Sequence, residues 1–257
     1  KIHSGLWICS CSAGNGFQLL QQVTGKSFSE IAKEIDDILG RSYEREAPKP
    51  RIITALDKWP KLSQIRGTNA EKYLNSRGIR LIPRRGLKFG WEHINGKRYG
   101  CMYAVAVNGA GEPCYVHQTF LDGDKKAVFE HLPTRKLTTI KKTEDSIAIR
   151  LDYSDKVLGI AEGIESALSA QQRFKVPTFS TINTAFMKRF KAPPGVETLM
   201  IFADSDSSGA GHAAAFACAH KNMTGKNDLK QVVVRWPRKG DFNDAIGSDI
   251  LEWEFSK

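Results

Sequence analysis

The spacing of apolar and polar positions changes near residue 155, and that change divides the chain. Beyond it, short strand-like runs alternate with stretches of helical spacing. Val157-Leu158-Gly159-Ile160-Ala161, Pro177-Thr178-Phe179-Ser180-Thr181, Leu199-Met200-Ile201-Phe202-Ala203 and Gln231-Val232-Val233-Val234-Arg235-Trp236 read as strands. Residues 164–174 and 211–222 read as helices between them, and a last helix is expected near Ile250 and Trp253. This alternation predicts a parallel sheet with helices on both faces.

Before residue 155 the pattern is different. Residues 99–107 and 114–121 are strand-like, joined by the turn Asn108-Gly109-Ala110-Gly111, with Asp122-Gly123-Asp124 closing the next turn. A mostly antiparallel sheet follows from this. Residues 58–82 read as helical, with Trp59, Leu62 and Ile65 in one stripe and Gly78 as the stop. Residues 1–40 read as a strand, a tight turn and two helices. Ser27 and Glu30 have the spacing of a capping box for the second helix. The expected plan is a compact unit over 1–46, a charged Pro-containing linker over 47–57, a basic subdomain over 58–152 and an α/β subdomain over 153–257. The fold class is α+β: a mixed N-terminal region with an antiparallel sheet, then a Rossmann-like parallel α/β domain.

Composition narrows the partners. The 257 residues are 41% hydrophobic, enough for an ordinary core, and carry a net charge of +10. That excess favours a polyanion, most simply nucleic acid or nucleotides. No apolar run approaches the roughly 18 residues of a membrane span. No secretory leader is read from Lys1 onward, and the five cysteines are scattered and odd in number. A cytoplasmic protein without a disulfide framework is expected.

The chemistry concentrates at strand ends. Glu162 follows the 157–161 run, Asp204 and Asp206 follow the 199–203 run, and Asp241 and Asp244 lie in the polar turn after the 231–236 run. Carboxyl ends of parallel strands face one way, so these acids converge on one edge. Alone, Asp204 and Asp206 read equally as a helix cap and a turn residue. Three acidic groups on one edge repel one another unless cations bind, which favours Mg²⁺ or Mn²⁺ on hard oxygen donors. Such ions suit nucleotidyl transfer or phosphodiester cleavage, and these residues do not separate the two.

Basic pairs cluster upstream: Arg84-Arg85, Lys97-Arg98, Lys125-Lys126, Arg135-Lys136 and Lys141-Lys142, with Lys88 among them. Tyr99, Tyr103, His117 and Phe120 are interleaved. Such a surface holds phosphates by charge and stacks bases on rings, or else is a solvated face over core aromatics. Cys9-Ser10-Cys11 on a strand and turn is half of a tetrahedral zinc site; otherwise it is two free thiols. There is no GxxxxGK[ST] loop, and Gly159 to Gly163 lacks the dinucleotide-binding spacing. Ser205, Ser207 and Ser208 have no evident base, and His212 and His220 read as surface or packing residues.

Ala161-Glu162-Gly163 followed by Ala203-Asp204-Ser205-Asp206 resembles the topoisomerase-primase (TOPRIM) domain, whose signature is one Glu and a later DxD at strand ends. Gly240 to Asp244 is similar to a further acidic turn of its primase branch. Trp7 to Gly14 resembles the second half of a primase zinc ribbon. Tyr73-Leu74 to Arg77-Gly78-Ile79 resembles the start of the polymerase core, and Pro133 to Lys142 its basic region. The resemblance implies a DnaG-type primase of the phage or plasmid kind. It implies Glu162, Asp204 and Asp206 as catalytic metal ligands, with Asp241 and Asp244 on the same divalent ions. It further implies zinc at Cys9 and Cys11 where other ligands complete the site. The implied partners are single-stranded DNA, ribonucleoside triphosphates and a replicative helicase in cis or in trans. The rival readings are a TOPRIM nuclease or topoisomerase-like cleavage domain, and a non-catalytic single-strand-binding replication module. Two departures stand out. Ser166 occupies the position, four residues after the Glu, where many primases carry Asp, with Glu165 beside it. The cysteine pair is CxC rather than CxxC.

Overall fold

The computed structural model describes residues 6–8, 13–40, 53–245 and 249–257. Cys9, Cys11 and the first half of the expected linker lie outside them. The chain forms two compact units, Lys1–Arg51 and Ile52–Lys257.

In the first unit, β1 (Leu6–Ile8) pairs antiparallel with β2 (Ala13–Asn15). Asn15 and Gln18 form a capping box on α1 (Gly16–Thr24), which ends at Gly25 with φ +69°. The Ser27–Glu30 capping box opens α2 (Phe28–Ile38), as the spacing predicts. Phe17 and Phe28 hold the two helices together, with ring centroids 4.6 Å apart.

The second unit begins with α3 (Ile53–Lys58), so part of the segment read as linker is helical. The single helix expected over 58–82 is broken. Pro60 sits in a 3₁₀ turn at Trp59–Lys61, and a new N-cap at Thr68 starts α4 (Asn69–Ser76). Between them Ser63 bridges to Phe89 in extended conformation.

Everything else in this unit hangs on one sheet, 11-stranded among the described residues. Its antiparallel half contains β3 (Leu87–Ile94), β4 (Lys97–Asn108), β5 (Pro113–Asp122), β6 (Lys125–Lys126) and β7 (Arg135–Thr139). Its parallel half contains β9 (Val157–Ala161), β10 (Thr178–Ser180), β11 (Thr198–Phe202) and β12 (Gln231–Pro237), in spatial order β10-β9-β11-β12. The short β8 (Ile147–Ile149) joins the halves: Ile149 faces Ala106 of β4 and Ser180 of β10. The two expected subdomains therefore share a sheet.

The helix expected near Ile250 and Trp253 is instead an edge strand, β13 (Ile250–Ser256), antiparallel to β12 along its length. Ile250-Leu251-Glu252-Trp253-Glu254-Phe255 is rich in strand-forming types. Glu252 pairs with Arg235 at 2.8 Å, and Phe255 packs against the core beside Phe216.

Helices cover the sheet unequally. α4 and α5 (Ile164–Phe174) pack Tyr73, Leu74 and Leu168 into one core with Leu87, Met102 and Ile149. On the other face, α7 (Ala210–Thr224) and the end of α6 (Thr184–Arg189) cover Leu158, Ile201 and Val232. Trp59 and Leu62 cover Cys101, Tyr103 and Val116 of the antiparallel half. Strand alternation explains the split, since Ala148 and Ile149 belong to different cores.

The start of α7 is pressed onto the loop after β11. A Cβ on Gly211 would lie 2.2 Å from the Asp204 carbonyl oxygen. Backbone cannot yield as a side chain does, so Gly211→Ala is expected to cost about 1–3 kcal/mol. Urea unfolding checks this, and a wild-type midpoint would contradict the close approach.

Candidate active site

Strands β9, β11 and β12 are adjacent and parallel, with Ala161 level with Phe202 and Phe202 with Arg235. Glu162, the Asp204–Asp206 loop and the Asp241–Asp244 turn thus occupy three neighbouring strand ends. The latter two are zipped together. The Ser205 amide donates to the Gly240 carbonyl at 2.8 Å, and the Gly240 amide donates back at 3.1 Å. The Ser205 hydroxyl donates to the Pro237 carbonyl at 2.6 Å and also lies 3.4 Å from His212 Nε2, a base that the sequence did not make evident. His212 packs edge-on against Trp236 and also reaches the Ser205 hydroxyl of the acidic loop through Nε2. Beneath the acidic turn, the Phe242 ring stands 5.0 Å from that of Phe202 and anchors it.

The two aspartates of the DxD differ in environment. Asp206 is exposed and works as a cap. Its Oδ1 accepts from the Ser208 amide and hydroxyl and from the Ala210 amide, and its Oδ2 accepts from the Gly211 amide at 3.0 Å. The Ser208 hydroxyl first, then these amides, hold its pKa down at about 2. Asp204 is the opposite case. Its Oδ1 is buried without a hydrogen-bond partner. Burial first, then the charges of Asp241, Glu162, Asp206 and Asp244, push its pKa up to about 7. Glu162 is also raised, by burial and by Asp206, with Arg135 opposing.

The remaining acids are partly engaged. Asp241 accepts from the Asn243 and Asp244 amides, each at 2.8 Å. Asp244 pairs with Arg77 of α4 at 3.0 Å. Among the described residues, no three acidic, His or Cys side chains already stand at the spacing of a closed metal cage. The donors are nonetheless hard oxygens, one of them buried and unpartnered. That set fits a cation such as Mg²⁺, which keeps several of its own waters, better than an ion held in a full protein shell.

Glu165, next to the Ser166 departure, is turned away from this edge. It is buried and accepts from the Tyr73 hydroxyl at 2.5 Å, Lys126 at 2.8 Å and Arg135 at 3.4 Å. Burial alone would raise its pKa, but Arg135 and Lys126 overcome that and hold it at about 2. His117 lies in the same field, with Nδ1 buried and unpartnered. Burial and Arg135 press its pKa down to about 4, so it is neutral at pH 7. Tyr73 stands out in the sequence only within the stretch that resembles the start of the polymerase core; a buried tyrosine hydroxyl needs a partner, and that need was the available signal.

The ten basic residues do not form one surface. Arg135 is level with Thr119 and Lys136 with Gln118, so these neighbours point to opposite faces. Lys126 and Arg135 engage Glu165. Arg98 lies 4.1 Å over the Trp91 ring. Lys97 pairs with Asp122 and Lys141 with Glu112. Arg84 is 3.8 Å from Asp152, and Arg85 stacks on Tyr153. Lys125, Lys136 and Lys142 are exposed.

These environments make opposite pH predictions. Folded Asp204 keeps its proton to about pH 7, whereas unfolded it ionises near the ordinary 3.8. Folding takes up a proton between those values, so this group lowers stability as pH rises through that window. In EDTA, Asp204→Asn is expected to gain on the wild type from about pH 4 to 7 and stay level above. Urea midpoints across pH check this, and a pH-independent difference would contradict it. Glu165 has the reverse sign: its contribution is full above 4.5 and lost as pH falls toward about 2. Glu165→Gln is expected to cost about 2–3 kcal/mol at pH 7, because two cations lose their shared carboxylate and Arg135 is half exposed. That cost should shrink toward pH 2.

Residues 157–249 match the Toprim domain family, and residues 49–145 match a family described as a domain of unknown function (DUF7146). No curated protein matches the chain. Solved structures similar to it include the Aquifex aeolicus primase, comprising zinc-binding and RNA polymerase domains, at 13% identity and TM-score 0.48, with 97% of this chain and 74% of that one covered. A DNA primase domain from Pseudomonas aeruginosa is similar at 14% identity and TM-score 0.47, covering 77% and 74%. The primase fragment of the bacteriophage T7 primase-helicase protein is similar at 18% identity and TM-score 0.41, covering 68% and 64%. Glu162, Asp204, Asp206, Asp241 and Asp244 all fall within residues 157–249, the part of the chain that matches the Toprim domain family.

Proposed function

We propose that this chain is a DNA primase that makes short RNA primers on single-stranded DNA from ribonucleoside triphosphates. The observation that carries the reading is the pairing of opposite charges on one sheet. The Toprim half brings Glu162, Asp204 and Asp206 to neighbouring strand ends, and Arg135 of the antiparallel half acts electrostatically on Glu162. The acidic edge suits metal-dependent phosphoryl chemistry and the basic neighbour suits a phosphate-bearing substrate; the product formed separates a polymerase from a nuclease.

In this reading Glu162, Asp204 and Asp206 hold Mg²⁺ or Mn²⁺, with Asp241 and Asp244 beside them. The ion supplies positive charge to the triphosphate of the incoming nucleotide. Asp204 would have to give up its proton to serve as a ligand, so its affinity for metal would rise with pH toward 7. Asp206, already ionised and fixed by the amides of α7, needs no such change. Arg135 offsets part of the negative charge at Glu162. Exposed Lys125, Lys136 and Lys142 offer charge to the template. Cys9 and Cys11 would join a zinc site whose other ligands come from elsewhere, and a helicase would act in cis or in trans. Among the described residues no helix is long and apolar enough to cross a membrane, and the proposed place of work is the cytoplasm.

The test is incubation with single-stranded DNA, labelled ribonucleotides and Mg²⁺ or Mn²⁺. Short labelled oligoribonucleotides are expected. Asp204→Ala should lower their yield by at least about 100-fold while leaving DNA affinity in EDTA unchanged. Shortened DNA without RNA product would replace the primase reading with a nuclease.

A further inference from the structure

A cavity of about 420 Å³ opens on the face of the antiparallel half that Trp59 covers, opposite α4. Arg84, Arg85, Lys88 and Arg150 line it with Trp59 and Gln64, and no lining residue is acidic. The Glu165 network lies on the other face, so this cavity is separate from it.

The arrangement is built rather than incidental. Gly86 adopts φ +85°, and a Cβ there would stand 2.4 Å from the Arg150 carbonyl oxygen. The Arg84-Arg85 turn is thereby pressed against the end of β8. Arg150 donates to the carbonyls of Asn108 at 2.8 Å and Gly109 at 2.9 Å, which fixes its guanidinium. Burial, then the charge of Arg85, pulls the Arg150 pKa down. Lys88 is tethered to the Trp59 carbonyl at 2.8 Å. Compensation is thin. Arg84, 74% exposed, meets Asp152 only at 3.8 Å, and Arg85 meets the Tyr153 ring rather than a carboxylate. Cations held together around an acid-free cavity repel one another unless an anion enters. Guanidinium forks favour phosphate oxygens.

We propose that this cavity binds a backbone phosphate of single-stranded nucleic acid, at a site distinct from the acidic edge. The proposal rests on the primase reading only for the choice of nucleic acid over other phosphate esters. A strand is favoured over a free nucleotide because the cavity does not end at Arg150. A second cavity of about 400 Å³ shares Val107 and Arg150 with the first and carries both Asp145 and Lys191 in its lining. A strand seated on Arg84 and Arg85 therefore has room to continue past Arg150, where a free nucleotide would end.

The test is fluorescence anisotropy with a short labelled oligodeoxythymidylate in EDTA, over a series of salt concentrations. Arg84→Ala/Arg85→Ala is expected to weaken binding by about tenfold and to lower the salt slope by about 0.7 for each phosphate that is no longer neutralised. Both residues are exposed, and circular dichroism verifies folding. Arg85→Lys, which keeps the charge without the fork, should fall between the two. Wild-type affinity and slope in the double variant would overturn the site. Displacement of the oligonucleotide by ATP at lower concentration than by unlabelled oligonucleotide would overturn the strand as occupant. Since EDTA removes metal-dependent binding, the outcome does not depend on polymerase activity. A protein that makes no RNA but loses DNA affinity with Arg84 and Arg85 would fail as a primase and keep this site.

Discussion

Carboxylates on adjacent parallel strands cannot avoid one another. Register puts Glu162, Asp204 and the Asp241–Asp244 turn at three neighbouring ends, and the sheet leaves no freedom to separate them. The protein meets this repulsion unevenly. Asp206 sheds its share into the amides of α7, Asp241 into those of its own turn, and Asp244 into Arg77. Asp204 receives no such relief and responds by holding its proton to about pH 7. A buried acid with an unsatisfied oxygen is costly in an inert protein and useful in one that takes up a cation. The start of α7 is packed directly on the Asp204 backbone, at a distance only glycine allows at position 211.

The same economy of charge organises the other half of the unit. Lys126 and Arg135 come from strands of the antiparallel half and meet Glu165 on the first turn of α5. This tie crosses between the halves on the face covered by α4 and α5, while β8 joins them through backbone pairing. Arg135 serves both, since it pairs with Glu165 and also opposes the rise in the Glu162 pKa. The residue beside Ser166 is thus a link to the basic half rather than a replacement carboxylate for the acidic edge.

What the sequence revealed follows from how local each feature is. The parallel strands were legible because a strand buried on both faces is an unbroken apolar run. The Ser27–Glu30 capping box was legible because it is contained in four residues. The β13 strand was not, because Ile250 and Trp253 also have helical spacing and only pairing with β12 decides between them. Trp59, Leu62 and Ile65 likewise fit a helix, but Pro60 and the cap at Thr68 divide the segment. The acids could be placed at one edge from topology alone. Their division into a capped Asp206 and a stranded Asp204 could not, since it depends on which amides and which burial each meets. The basic pairs were identified as charges, but neighbours on one strand point apart, so sequence clusters such as Arg135-Lys136 are split by the sheet.

Continuity of the sheet bears on how a polymer could be handled. Had the basic and acidic halves been separate domains on a linker, their spacing would vary with domain motion, and substrate would have to fix it. Here β8 pairs with β4 and β10 through the same residue, Ile149, so hinge motion between the halves would break backbone hydrogen bonds on at least one side. Arg150, the next residue, carries that rigidity to the cavity beside Arg85, and Glu165 carries it to Arg135. Basic positions on both faces are therefore held in fixed register with the acidic edge. What is left to adjust is charge: Asp204 must lose a proton before the edge is fully ionised. The fold fixes distance in advance and leaves ionisation of the acidic edge as the variable step.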